Sequence, residues 1–266
     1  MVSCIHRAPV IEQALWVTAI LSVVLSTAMP AAPAAELQVP VSIALRGPDA
    51  KVAAAFEKES GHTVKMTVAA PGEIVAALQA GRHADVIVIT NDGLAELDGK
   101  GLVRRDRVPL ATTGFGLATR SGDLAPDIST PDALREALLG ASKVIYNDPK
   151  VSPAGQLLLR IAERLGVAEQ LKAKSQVTAA GTHMVTLAKD SSPGTVFALT
   201  VLTEVAGQPG VKLVGPLPKE LQVPLHFSAA LGARPLDEVP SQAFLQALAS
   251  GDAKQAFAAA GFGVEK

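Results

Sequence analysis

Between Val39 and Lys100 strand-like and helix-like runs alternate, with only short connections between them. Val39–Leu45 (VPVSIAL) is apolar and strand-like, and Asp49–Ser60 is an alanine-rich amphipathic helix stopped by Gly61. Thr63–Val68 alternates as a strand, and Gly72–Gln79 is helical up to Gly81. Asp85–Ile89 (DVIVI) is a run of β-branched residues, as in a strand buried on both faces. Asp92–Lys100 is helical and ends at Gly101. Alternation of this kind specifies a parallel sheet with helices on its faces and right-handed crossovers. The fold class is therefore α/β.

Near Pro109 the texture changes, and a second α/β unit follows. Its predicted strands are Phe115–Thr119, Lys143–Tyr146, Gln176–Thr178 and Thr195–Ala198. Its predicted helices are Thr130–Leu139, Pro153–Leu165, Ala168–Lys174 and His183–Lys189. Val211–Pro218 runs into a proline-stiffened turn, Val223–Leu231 is a further strand, and helices Ser241–Ser250 and Ala253–Ala260 close the chain. No internal repeat is visible. The last helices need a sheet to pack on. One doubly wound sheet would serve, as would two α/β lobes between which the chain crosses twice, near Val108–Gly114 and Pro216–Pro224.

The N-terminus has the order of a secretory signal peptide: a polar stretch with Arg7, an apolar run Ala14–Ala28, then small residues Met29–Ala35. Cleavage is expected after Ala34, which makes residues 1–34 the signal peptide and places the protein in the periplasm. The apolar run is shorter than the roughly 20 residues that span a bilayer. The only cysteine, Cys4, leaves with this segment, so a thiolate nucleophile, a disulfide and a zinc–cysteine site are excluded from the mature chain. A net charge of −1 argues against nucleic acid as a partner. The five histidines form no H-x-H or H-E-x-x-H pattern, so neither a metal nor a cofactor is expected. No nucleophile elbow or Walker loop is present, and the chain is not expected to be an enzyme.

Several stretches carry a family resemblance in their order and spacing: Ala53–Gly61, Pro71-Gly72, Ala84–Val88, Lys100–Val103, Asp148-Pro-Lys-Val-Ser-Pro-Ala-Gly155, Gly210–Pro218, Gly251–Lys254 and Ala260-Gly-Phe262. In these the chain resembles the molybdate-type periplasmic binding proteins of ABC importers, within the type II binding-protein fold. The resemblance implies two lobes joined by a two-strand hinge, with one solute in the cleft between them. Lobe 1 is expected to comprise residues 35–111 plus 222–266, and lobe 2 residues 112–221. The implied partners are a small-molecule or oxyanion ligand and an inner-membrane ABC permease, with the protein acting as a monomer. Delivery to a membrane receptor, as a sensor component, would need the same chain.

Ligands of open α/β sheets bind beyond the carboxyl ends of the strands. The strand-to-helix loops Arg46-Gly47-Pro48, Ala69–Gly72, Ser152–Gly155 and Ala180–Met184 each present a helix start there, which favours an anion. The expected cleft positions are Arg46, Gly47, Pro71, Gly72, Ala154, Gly155, Thr182 and His183. Relative to the resembled family, a first-loop serine is missing, Pro71 stands at a usual serine, and Phe197 aligns with a ligand-contacting tyrosine. Arg46 is a forked, charged donor suited to a carboxylate, sulfonate or phosphate. Asp49 and Glu73 sit in first helical turns. If they faced the cleft, an amine-bearing solute would fit instead.

Overall fold

A computed structural model describes residues 1–2 and 34–264. The expected signal peptide lies almost wholly outside the described residues. The elements run β1 (Glu36–Ser42), α1 (Arg46–Ser60), β2 (Thr63–Ala69), α2 (Pro71–Gln79), β3 (Val86–Thr90), α3 (Asn91–Asp98) and β4 (Val103–Thr113). There follow β5 (Phe115–Arg120), α4 (Pro131–Gly140), β6 (Lys143–Asn147), α5 (Pro153–Arg164), α6 (Ala168–Ala173), β7 (Ser175–Thr178), α7 (His183–Lys189), β8 (Val196–Val201) and β9 (Val211–Pro216). The last elements are β10 (Leu225–Gly232), α8 (Glu238–Leu248) and α9 (Gly251–Ala259).

The strands form two mixed five-stranded sheets, β2-β1-β3-β10-β4 and β7-β6-β8-β5-β9. In each, the first three strands are parallel and the fourth runs against its neighbours. The fourth strand is also the one that enters from the other sheet. The two lobes therefore share one topology, a repeat that leaves no trace in the residues. The chain leaves the first sheet at Thr113 and begins β5 at Phe115, with only Gly114 between. It returns through Leu217–Pro224. Gln222 ties the two crossings together. Its Oε1 accepts from the Phe115 N–H at 2.7 Å, and its Nε2 donates to the Phe115 carbonyl at 2.9 Å.

The β3 run explains why the first lobe closes around it. Val86 and Val88 pack in the cluster with Val52 and Phe56 of α1, Phe244 of α8 and Phe257 of α9. Ile87 and Ile89 face the other way, onto Ile74, Val75 and Leu78 of α2 and Leu94 and Leu97 of α3. Each fully buried aliphatic side chain contributes about 1.5–3 kcal/mol. Asp85 precedes this run and is fully buried. Its carboxylate accepts the Gln38 N–H of β1 and the Leu236 N–H beyond β10, both at 2.7 Å, and lies 2.9 Å from His83 Nε2.

Two elements depart from expectation. Arg46-Gly47-Pro48 is the first turn of α1 and not a loop, because proline is tolerated where helical N–H groups have no partner anyway. β4 carries the charged run Arg104-Arg105-Asp106-Arg107, whose residues alternate poorly. It is an edge strand, where charge prevents further pairing. Pro109 sits beside a register shift against β10, the place a sheet tolerates proline.

Asp49 contradicts ordinary burial rules. It is 1% exposed, and neither carboxylate oxygen has a hydrogen-bond partner. Burial raises its pKa well above the usual carboxylate range. The native state therefore keeps this proton to higher pH than the unfolded chain, and its contribution to stability falls as pH rises. Leucine matches the shape of aspartate and extends the buried stripe of Val52, Ala53 and Phe56. Asp49→Leu should raise stability at neutral pH by about 1–3 kcal/mol, the cost of an unsatisfied buried group. The gain should shrink towards acid pH. Equal gains at pH 7 and pH 4 in urea unfolding would contradict the assignment.

Candidate functional site

Between the lobes, the carboxyl ends of the parallel strands converge on a chamber of about 20 Å³. Ser42 ends β1, Ala70 and Pro71 follow β2, Asn147 ends β6, Ala180 and Gly181 follow β7, and Val201 ends β8. A water occupies about 10–15 Å³ on this measure, so the chamber has room for one or so. The Asn147 Oδ1 accepts from Thr178 Oγ1 at 3.2 Å, which leaves its amide nitrogen as a donor.

α5 sets one wall. Ser152 caps it by accepting the Gly155 N–H at 3.4 Å, and Pro153 occupies its first turn. Ala154 lines the chamber, as does Pro71 from the opposite lobe. Gly155 faces away, against the strand: a Cβ there would lie 2.2 Å from the Asn147 carbonyl oxygen.

The lobes touch at two glycines. The Gly72 N–H donates to the Val151 carbonyl across the cleft at 3.2 Å, so this amide is engaged by protein and does not await a ligand. A Cβ on Gly72 would stand 2.7 Å from Val151 Cα. At the other contact, Gly181 lies against Ile43, with no room for a side chain. Glu73 accepts from the Ala70 N–H at 3.0 Å, closing the start of α2. It thus serves as a helix cap.

Beside the chamber is a larger interlobe cavity of about 420 Å³. Arg46, Gly47 and Pro48 of α1 form one side, and His183 of α7 with Thr203 and Glu204 beyond β8 form the other. Among the described residues Arg46 forms no ion pair. His183 is buried, and its Nε2 lies 2.8 Å from Thr200 Oγ1 and 3.4 Å from Glu204 Oε2. A third recess, about 290 Å³, is lined by Pro71, Gly72, Lys150 and Arg160.

Of the expected positions, the structure thus brings Pro71 and Ala154 to the chamber and Arg46, Gly47 and His183 to the larger cavity. Thr182 lines neither; its hydroxyl donates to the Ala179 carbonyl at 2.8 Å. Phe197 requires correction: it is 1% exposed and packs in the core of the second sheet. Val201, four residues along the same face of β8, is the one that reaches the chamber. Sequence reasoning also missed Ser42, Asn147 and Glu204. Their only signal was a polar residue at or just beyond the end of an apolar strand. Among the described residues, no group of three or more His, Cys, Asp or Glu side chains is placed to hold a metal. None of the helices described is long and apolar enough to cross a membrane.

Residues 37–263, which span both sheets and every wall of the cleft, match the bacterial extracellular solute-binding proteins. The chain belongs to this family. Relatives within reach differ in their named roles. An aconitate isomerase of a Pseudomonas species is 31% identical over 235 residues, covering 85% of this chain and 87% of the relative. The molybdate-binding protein ModA of Azotobacter vinelandii is 24% identical over 244 residues, covering 88% and 92%. The solved periplasmic molybdate-binding protein of Azotobacter vinelandii superposes with a TM-score of 0.69 at 18% identity, covering 86% of this chain and 100% of that one. That likeness identifies the fold of this family member as the two-lobed, type II binding-protein architecture.

Proposed function

We propose that this family member captures a small organic polycarboxylate between its lobes and delivers it to an ABC importer in the periplasm. The larger cavity carries this reading. At about 420 Å³ it is within the range of small-molecule sites, and an unpaired guanidinium stands in its wall. The chamber at the strand ends is smaller, about 20 Å³, and of its lining only Ser42 and Ser152 carry hydroxyls, the latter already accepting the Gly155 N–H. Lobe boundaries near residues 112 and 222 allow closure about the Gly114 and Leu217–Pro224 crossings.

A thermal-shift screen with an extrinsic dye tests the ligand class. Tricarboxylates and dicarboxylates should stabilise the protein by about 2.7 kcal/mol when present at 100 times the dissociation constant. Molybdate, tungstate and sulfate should not. The reverse pattern would overturn the reading. Arg46→Ala should weaken a polycarboxylate by about 1.5–3 kcal/mol, or roughly 10- to 150-fold, as expected for hydrogen bonds between charged groups. Calorimetric titration of the variant measures this directly. Unchanged affinity would remove Arg46 from the site.

A second reading is favoured by one specific finding, the relative named aconitate isomerase. Under it the same cleft converts an unsaturated polycarboxylate and does not merely hold it.

A further inference from the structure

Capture of a solute leaves the buried His183 in the wall of the larger cavity without a purpose. β8 alternates Val196, Ala198 and Thr200 towards α7, and Phe197, Leu199 and Val201 towards α5. His183, the first residue of α7, therefore meets Thr200, with Nε2 2.8 Å from its Oγ1. Thr200 Oγ1 lies 3.0 Å from Glu204 Oε2 and 3.4 Å from the Val201 carbonyl. A hydroxyl has one proton to give, and an ionised carboxylate only accepts. Thr200 thus donates to Glu204 and accepts from His183. The neutral imidazole carries its proton on Nε2, and Nδ1 keeps the lone pair. Nδ1 is buried and has no hydrogen-bond partner, as is also true of Thr203 Oγ1 on the same wall. Arg46 stands in the wall of the same cavity, from the other lobe.

We propose that His183 is a catalytic base in this cavity, moving a proton along a bound unsaturated polycarboxylate. The inference rests on the polycarboxylate reading of the site. Nδ1 takes a proton from the saturated carbon between a carboxylate and the C=C bond. The C–H electron pair becomes the new C=C bond, and the former π pair moves to its far carbon. That carbon receives the proton back from Nδ1. The product is an isomer of the substrate; nothing is oxidised or reduced, and no water or co-reactant is consumed. During transfer, negative charge spreads into the adjacent carboxylate, where the Arg46 guanidinium stabilises it. Positive charge grows on the imidazole, and the Thr200 hydroxyl with Glu204 behind it stabilises that charge, as a carboxylate does in hydrolytic triads.

The test uses the full chain with trans-aconitate, an unsaturated tricarboxylate, in D₂O. Proton NMR follows deuterium uptake at the methylene and appearance of the cis isomer, while calorimetry measures binding. The expected result is saturable binding with isomerisation; deuterium uptake reports how far the Nδ1 proton exchanges with solvent before it is returned. His183→Gln should cut isomerisation by about a hundredfold or more, the usual contribution of a general base. Its dissociation constant should change far less. Glu204→Gln, at a partly exposed position, should also slow isomerisation and gives a second readout if His183→Gln misfolds. Binding without isomerisation in the parent protein overturns this inference and leaves solute capture standing. No binding at all, for this or any polycarboxylate, overturns the capture reading itself. Isomerisation at the parent rate in His183→Gln removes His183 as the base.

Discussion

Asp85→Ala should lower stability by about 3–5 kcal/mol, enough to bring many domains close to unfolding. The side chain is fully buried, and its two oxygens hold β1, the His83 ring and the segment after β10 at one point. Alanine leaves the Gln38 and Leu236 N–H groups without acceptors in a site closed to water. Hydrogen bonds to a charged group contribute about 1.5–3 kcal/mol each, and stranded buried donors cost about as much. Urea unfolding at pH 7 measures the change. Asp85→Asn keeps one acceptor oxygen and should lose roughly half as much. A loss under about 1 kcal/mol for alanine would mean that water replaces the carboxylate.

Gly155→Ala should cost about 3 kcal/mol. The added Cβ meets the Asn147 carbonyl oxygen at 2.2 Å and the Pro149 backbone at about 3.0 Å. These are backbone atoms of β6 and its following turn, which cannot rotate aside as a side chain can. Overpacking of a core typically costs about 1–3 kcal/mol, and a rigid neighbour puts this site at the upper end. Relief requires α5 to move off β6, carrying Ser152, Pro153 and Ala154 with it. Gly140, also helical, offers a control: alanine there meets nothing, so Gly140→Ala should be neutral or slightly stabilising. Unfolding of the two variants side by side separates helix propensity from crowding.

What could be read without the structure follows a physical pattern. The β3 run and the glycine-stopped helices around it were legible because burial on both faces writes an unmistakable composition. β4 was not, because an edge strand needs charge more than alternation, and Arg104–Arg107 resembles a loop. Ser152-Pro-Ala-Gly155 announced a helix start, since cap, proline and close-packed glycine are all local requirements. The Gly72 amide misled, because its partner Val151 lies in the other lobe and no local pattern records it. Phe197, aligned with a ligand-contacting tyrosine, lies too deep in β8, and Val201 on the same face reaches the chamber. A period of two distinguishes faces and says nothing about distance from the strand end. His183 with Thr200 and Glu204 could not be seen, since the triad forms only when α7 docks on β8.

The placement of β10 also dictates an order of assembly. The strands of the second sheet are consecutive, from β5 to β9, so that sheet can complete as soon as its own segment exists. The first sheet cannot. Its fourth position, between β3 and β4, stays vacant until Leu225–Gly232 arrives from the far end of the chain. Until then β3 and β4 present unsatisfied edges, with Ile87 and Ile89 only partly covered. Loop closure across the whole second lobe makes this the high-contact-order step. A refolding chain should therefore acquire the middle lobe first and pass through a state with an open, sticky half-sheet. That state is the form in which this protein is most exposed to aggregation and to chaperone capture.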